Sequence, residues 1–328
     1  MEKIRAKIIG TGSFAPTQRM TNADLEKIVD TSDEWIVSRT GIKERRIAPE
    51  GMAVSDMSVI ACEKALEAAG MSSQEIDLVI LGTVSPDYKL PSTACVIQEK
   101  MDLPNATAFD VVSACTGFIN GLSVASALIE TGQYKNALVI GAEKLSSILN
   151  YKDRNTCILF GDGAGAAVLS ASQNGSGILS TFLKSDGHGR DLLWIKDGGS
   201  ANPVSENYPF AGDDKITMSG GDIFKIAVKQ MCNSAIKVIE DAGITTDDIA
   251  VIIPHQANIR IIESIAKRLK ISMDKVFVNI HKYGNTSAAS VPIALDEAFR
   301  AGRIKPGDYV LMVAFGGGLI WGSALVKW

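Results

Sequence analysis

Among the side chains able to do chemistry, the thiol of Cys115 stands out by its setting, the run Asp110-Val111-Val112-Ser113-Ala114-Cys115-Thr116-Gly117-Phe118. Phe109, Val111 and Val112 read as a buried strand, and an apolar helical pattern runs from about Phe118 to Thr131, closed by Gly132. Cys115 is therefore expected where a strand turns into a helix. The positive end of the helix dipole, with free backbone N–H groups beside it, lowers a thiol's pKa and favours the nucleophilic thiolate. A cysteine by itself more often fills space in a core, so the assignment rests on its company.

Three further stretches supply that company. His255, in Pro254-His255-Gln256-Ala257-Asn258, follows the strand Ala250–Ile253 and precedes a helix whose Ile259, Ile262, Ala266 and Leu269 form one apolar stripe. A helix N-terminus disfavours imidazolium, and a neutral imidazole suits donating a hydrogen bond to a developing oxyanion. Asn285, in Gly284-Asn285-Thr286-Ser287-Ala288-Ala289-Ser290, offers an amide donor that does not titrate, and it is equally suited to capping a helix. Phe315-Gly316-Gly317-Gly318 ends the last long strand, where glycines let a backbone approach a ligand and aim N–H groups at it. Together they make a thiol nucleophile, two side-chain donors and a strip of backbone N–H groups.

The elements that must position these residues come in duplicate. Ala65–Ile80 and Val238–Ile253 share one pattern of helix end, glycine stop (Gly70, Gly243), acidic turn and strand, in the same register. Cys115 and Asn285 each precede by the same interval the glycine that closes a helix, Gly132 and Gly302, so they are expected at corresponding positions. The reading is a duplicated α/β unit, too long per repeat for a solenoid. A pseudo-twofold would bring the two helix N-termini face to face. The halves are expected at 1–172, carrying the cysteine, and 173–328, carrying the histidine and asparagine.

Elsewhere the expectations are local. Ile4–Gly10 reads as a strand turned by Gly10-Thr11-Gly12, and Asn150–Thr156 as a loop. Thr31-Ser32-Asp33-Glu34 starts a helix that Gly41 stops, placing Trp35 and Arg39 on one face. That pair is either an aromatic at a core edge with a cation beside it, or a platform and a cation for a nucleotide with phosphates. Phe160-Gly161-Asp162-Gly163-Ala164-Gly165 suggests a dinucleotide loop, but a strand follows where such a loop opens a helix, so it reads as a tight turn between strands. Ser170 to about Ser219 is Gly-, Ser-, Asn- and Pro-rich and reads as the connector.

Composition narrows the class. The 328 residues are 46% hydrophobic and 21% charged, ample for a large globular core. Net charge is −4 and the pI about 5.5, which argues against a nucleic-acid partner. No run of about 18 apolar residues would span a membrane, and Met1-Glu2-Lys3-Ile4-Arg5 leads into a strand without a signal peptide. Five cysteines without C-x-x-C pairs read as free thiols in a reducing cytoplasm, and three histidines without ligand spacing argue against a metal.

The set Cys115, Pro254–Asn258, Tyr283–Ser290 and Phe315–Gly318, with Thr31–Ile36 and Phe160–Ala167, resembles β-ketoacyl-acyl-carrier-protein synthase III, the initiating condensing enzyme of type II fatty-acid synthesis. The likeness runs nearly end to end. It implies an α/β thiolase-like fold of duplicated halves layered αβαβα, a homodimer, and a Cys115-His255-Asn285 triad with Cys115 and Gly317 N–H groups as the oxyanion hole. Elongating synthases carry a second His where this chain has Asn285, and thiolases a second catalytic Cys, so both are disfavoured. The resemblance places Trp35 and Arg154 around the adenine of coenzyme A, Arg39 near its phosphates and Thr31 in the same site. Asn258 then lies along the pantetheine tunnel, with Gly220 and Phe224 on its wall. Leu145 and Phe315 line the acyl pocket, and Leu90 reaches across the dimer to cap the partner's. The resemblance docks the carrier protein near Lys225 and Arg260, and Lys267 and Arg268 beside them either extend that basic patch for an acidic carrier or belong to an ordinary solvated helix face.

The implied reaction joins an acyl-CoA primer to malonyl-acyl-carrier protein with loss of carbon dioxide, coenzyme A thioester being a substrate and no cofactor needed. The primer is acetyl-CoA or a short or branched acyl-CoA: Leu90, where acetyl-selective members often have Phe, would admit a longer or branched one, and the loop Leu192–Asp214, with Trp194 and Phe210, would reshape the acyl pocket. The alternatives are a Cys-His-Asn synthase or acyltransferase of secondary metabolism, and a non-catalytic thiolase-fold partner, which should have lost Cys115.

Overall fold

A computed structural model of the chain describes residues 4–203 and 214–328. Phe210 and Met1–Lys3 lie outside the described residues. In chain order the first half runs β1 (Arg5–Phe14), β2 (Arg19–Thr21), α1 (Asn22–Leu25), α2 (Asp33–Thr40), β3 (Glu44–Arg46), α3 (Val54–Ala69), β4 (Leu78–Gly82) and α4 (Thr93–Lys100). It continues with β5 (Thr107–Val111), α5 (Gly117–Glu130), β6 (Asn136–Lys144), α6 (Arg154–Cys157) and β7 (Asp162–Ser172). The second half runs β8 (Gly177–Ser185), β9 (Leu193–Trp194), β10 (Thr217–Met218), α7 (Gly220–Asp241), β11 (Ile249–Pro254) and α8 (Ile259–Leu269). It closes with α9 (Ile280–Tyr283), α10 (Ser290–Arg300), β12 (Tyr309–Gly316) and β13 (Ile320–Lys327).

Two mixed sheets result, in the orders β1-β7-β6-β4-β5 and β11-β12-β13-β8. Strand alternation shows how they stack. On β4, Leu78 and Ile80 face a central core shared with α5 and α10, whereas Val79 and Leu81 face α3. On β12, Val310, Met312 and Ala314 face the same central core, whereas Leu311, Val313 and Phe315 face α7 and α8. The layers are thus α3, sheet, α5 with α10, sheet, α7 with α8, the αβαβα architecture of the thiolase-like fold.

The repeat in sequence is a repeat in structure. α3, Gly70, a 3-10 turn at Ser73–Glu75 and β4 are matched by α7, Gly243, a 3-10 turn at Thr246–Asp248 and β11. Capping Ser72 and Thr245 hold the two turns in the same way, each taking a carboxylate three residues on. One strand is not matched. β5 pairs with β4 along its length, but its counterpart beside β11 shrinks to a single bridge, Ile252 to Val276.

Four local expectations are corrected. Gly10 and Gly12 do not turn the chain; β1 continues through them, because α3 lies so close that a Cβ on Gly12 would sit 2.2 Å from the Ala61 carbonyl oxygen. The glycines of 160–165 do not make a tight turn between strands, since Asp162–Ser172 is one strand paired on both sides. There Gly165 lets α10 seat against the sheet, a Cβ meeting that of Pro292 at 2.7 Å. The connector expected over 170–219 contains β8, a full member of the second sheet, and the loop over 150–156 contains the start of α6.

Candidate active site

Each half delivers a tight turn to the centre of the molecule. Ser113 precedes Ala114, whose φ of 44° is left-handed, and a 3-10 turn over Ala114–Thr116 opens α5. Thr286 likewise precedes Ser287 at φ 47°, and a 3-10 turn over Ser287–Ala289 opens α10. The two turns pack against each other. The equivalence corrects the expected correspondence: Cys115 matches Ala288, not Asn285. α5 is three residues longer than α10 (14 against 11), so equal distances to the closing glycines conceal a shift of three.

Cys115, His255 and Asn285 are buried and line one cavity of ≈ 120 Å³, with Gly220, Phe224, Asn258, Phe315 and Gly316 among its other walls. Cys115 also lines a second cavity of ≈ 510 Å³, walled by Leu145, Leu193, Trp194, Ile216, Ser287 and Gly317. The thiol is therefore the junction of two chambers. The end of β12 passes so close that a Cβ on Gly316 would lie 2.7 Å from the Cys115 nitrogen, so only glycine fits there.

The electrostatics of Cys115 run against the dipole expectation. Burial pushes its thiol up to about 12, aided by the charge of Glu143 and opposed by the hydrogen bond it shares with Ser287. The resting residue is a thiol. Burial pushes His255 down to about 3, so its imidazole is neutral. Its Nδ1 lies 2.5 Å from Ser290 Oγ, which accepts at 3.4 Å from the Gln256 N–H. With the Ser290 hydroxyl donating to Nδ1, the single ring hydrogen resides on Nε2, free to donate into the cavity. Asn285 Oδ1 accepts from Ser287 N–H at 2.8 Å, which leaves its Nδ2 as the donor. Asn285 is not the cap its position suggests, since the N-cap positions of the 3-10 turn and of α10 fall on Thr286 and Ala289; its bond to the turn orients the amide instead.

The remaining candidates fall into three groups. Trp35, Arg39 and Arg154 form a surface cluster, the guanidinium carbons lying 4.8 and 5.1 Å from the indole ring centroid. Thr31 Oγ1 beside them is buried and has no hydrogen-bond partner. Trp35, Met218 and Leu193 pack against one buried cluster, and the last two also line the smaller cavity. Lys225, Arg260, Lys267 and Arg268 are exposed, and Arg260 lies 5.7 Å above the ring of Phe224 at the cavity wall. Leu145 lines the larger chamber, but Phe315 faces the smaller one, where it stacks on Trp321. Leu90 is 87% exposed and lines neither chamber.

Sequence reasoning assigned no role to Ser287, Ser290 or Glu143. The two serines stood inside the Asn285 motif without a task. Glu143 had one visible signal, a carboxylate placed directly after the apolar strand run Ala137–Ala142. Among the described residues no group of three His, Cys, Asp or Glu could hold a metal ion, and no helix is long and apolar enough to cross a membrane.

Comparison with known proteins gives a consistent result. Residues 109–187 match the family model of 3-oxoacyl-[acyl-carrier-protein] synthase III, and residues 239–328 match the model of its C-terminal part. A protein of Caldanaerobacter subterraneus subsp. tengcongensis named beta-ketoacyl-[acyl-carrier-protein] synthase III is 54% identical over 327 residues, covering 100% of this chain and 99% of its own. One of the same name from Clostridioides difficile is 53% identical, covering 99% and 98%. The crystal structure of 3-oxoacyl-[acyl-carrier-protein] synthase III from Aquifex aeolicus VF5 superimposes with a TM-score of 0.91 at 48% identity, covering 98% of this chain and 100% of that one.

Proposed function

Because this chain belongs to the β-ketoacyl-[acyl-carrier-protein] synthase III family, we propose that Cys115, His255 and Asn285 perform its reaction, in the order set out below. The protein is an acyl-transferring condensing enzyme, and it initiates fatty-acid synthesis by joining an acyl-CoA primer to malonyl-acyl-carrier protein. The observation that carries the reading is the convergence of one thiol and two oriented, non-cationic donors on a single cavity.

In the first half-reaction the Cys115 sulfur attacks the thioester carbonyl, and the N–H groups of Cys115 and Gly317 hold the oxyanion. Coenzyme A leaves as the C–S bond breaks. Malonyl-carrier protein then enters, its carboxylate departs as carbon dioxide, and Nε2–H of His255 and Nδ2–H of Asn285 hold the enolate. The carbanion attacks the acyl-Cys115 carbonyl, forming the C–C bond and expelling the thiolate. Both donors are neutral, which favours charge that appears only during reaction.

Coenzyme A would enter past the Trp35, Arg39 and Arg154 cluster, with Thr31 Oγ1 as an unfilled hydrogen-bonding group and Gly220, Phe224 and Asn258 along the pantetheine path. The larger chamber would take the acyl chain. Its ≈ 510 Å³ and its aliphatic wall of Leu145, Ile148, Ile216 and Ile320 favour a primer longer than acetyl. Exposed Tyr88, Leu90 and Val112 lie near edge strand β5, which supports a homodimer through that edge with Leu90 capping the partner's chamber. All five cysteines are free, as suits the cytoplasm.

The test is intact mass after mixing with acetyl-, butyryl-, isobutyryl- and longer acyl-CoAs, followed by a malonyl-carrier chase. One acyl group per chain, mapped to Cys115, absent in Cys115→Ala and discharged by the chase, is the expected result. No adduct with any primer would overturn the assignment.

A further inference from the structure

The first half-reaction leaves one proton unaccounted for. Cys115 rests as a thiol, so its proton must go elsewhere when sulfur attacks. His255 is a poor acceptor, since its Nδ1 is engaged by Ser290 and burial keeps the imidazole neutral even in acid. Asn285, in the smaller cavity, offers only a donor because its Oδ1 is taken by Ser287 N–H; the acceptor left beside the thiol is Ser287, which hydrogen-bonds it and shares the larger chamber with it. Ser287 Oγ donates to Glu143 Oε1 at 3.0 Å.

We propose that Glu143 receives the Cys115 proton through Ser287 during acylation and returns it when condensation releases the cysteine. As the sulfur bonds to the thioester carbon, the S–H bond breaks and the proton passes to Ser287 Oγ. The serine's own proton passes to Glu143 Oε1, so Ser287 ends with one proton as before and Glu143 is neutral. Coenzyme A departs as thiolate and takes a proton from solvent. In the second half-reaction the expelled Cys115 thiolate recovers the stored proton by the reverse path.

The surroundings of Glu143 suit this task. Its Oε2 accepts from Ser85 Oγ at 2.5 Å, Thr83 Oγ1 at 3.1 Å and Val84 N–H at 3.1 Å. The groups facing it are those three donors, Ser287 and the titratable Cys115; among the described residues no cation pairs with it. Neighbouring Lys144 turns its Nζ away, to the carbonyls of Pro49 and Met52. Burial outweighs the four hydrogen bonds and pushes the carboxyl up to about 7, near the pH at which a proton acceptor works best.

The inference rests on Cys115 being the acyl acceptor. It is tested by rapid-quench mass measurement of acetyl transfer to the wild type, Glu143→Gln and Ser287→Ala from pH 5.5 to 9, with malonyl-carrier decarboxylation measured separately. Ser287→Ala guards against a Glu143 variant that does not fold, because the equivalent Ala114 already sits at the same left-handed φ. Acylation by either variant is expected to fall about 100-fold at neutral pH. The wild type's rise near pH 7 should move upward in both, and decarboxylation should stay within about threefold of wild type. Acylation at the wild-type rate with an unmoved profile would overturn the relay, as would equal loss of both half-reactions with an unmoved profile. An absent adduct on the wild type would instead remove the acyl-acceptor reading itself.

Discussion

The two turns that open α5 and α10 share a backbone and differ in what they carry. In the first half the residue after the left-handed position is Cys115; in the second it is Ala288, and the chemistry moves to either side of it, to Asn285, Ser287 and Ser290. The strands beneath diverge in the same way. Leu78 pairs with Ala137 and Val251 with Val310 in one shared register, which makes Glu143 and Gly316 equivalent. Glu143 fills the space under the Ser287 turn, whereas Gly316 leaves room for the Cys115 turn to settle on the sheet. Duplication thus supplies two helix starts aimed at one point, and under the proposed mechanism divergence gives one the nucleophile and the other the donors. A faithful repeat would have given two thiols and nothing to hold the charge they create.

The sharpest way to break this division of labour is to remove the second half's donors. Asn285→Ala and His255→Ala are each expected to lower malonyl decarboxylation by ~10²–10³, with acylation of Cys115 reduced far less. Single-turnover measurement of each half-reaction decides it. Equal loss in both would mean that the two halves share their work rather than divide it.

Glu143 and His255 also set opposite pH trends on stability. His255 is held neutral, with its pKa lowered from 6.5 to about 3, so the unfolded chain binds the extra proton and stability falls as pH drops through that window. Glu143 is raised from 4.5 to about 7, so the folded chain binds the extra proton; its contribution is complete below 4.5 and lost as pH rises through 7. Denaturant unfolding of the wild type and Glu143→Gln isolates the second trend. The wild type's stability relative to the variant should fall by on the order of 3 kcal/mol between pH 4.5 and pH 8. A difference independent of pH would mean that Glu143 is ionised in the fold.

Much of this was legible because periodicity and punctuation are local. The repeat of helix, glycine, acidic turn and strand, and the placing of Cys115 and His255 at strand ends, follow from residue spacing alone. What failed depends on distant neighbours. Gly10 and Gly165 look like turns until α3 and α10 are seen pressing on them. Counting back from Gly132 and Gly302 could not reveal that the intervening helices differ in length. The dipole argument for Cys115 was sound in sign but took no account of desolvation, which burial by both halves makes the larger effect. Glu143 was missed because its partners, Thr83–Ser85 and Ser287, come from opposite ends of the chain.

The mildest probe of the comparison concerns the rim rather than the centre. α8, on the second half, carries exposed Arg260, Lys267 and Arg268, and Arg260 lies over Phe224 at the smaller cavity. The first half carries the Trp35 cluster, whose two guanidiniums suit a nucleotide with phosphates and which is proposed as the coenzyme A side of the entrance. If the entrance is divided as the centre is, each substrate should feel one side. Charge reversal at an exposed rim changes association more than chemistry and is worth about 1 kcal/mol. Arg260→Glu should therefore raise the apparent KM for malonyl-carrier protein roughly fivefold at low salt, less at high salt, and leave that for acyl-CoA unchanged. Equal effects on both substrates would place Arg260 on the coenzyme A path and remove α8 as the carrier's docking face.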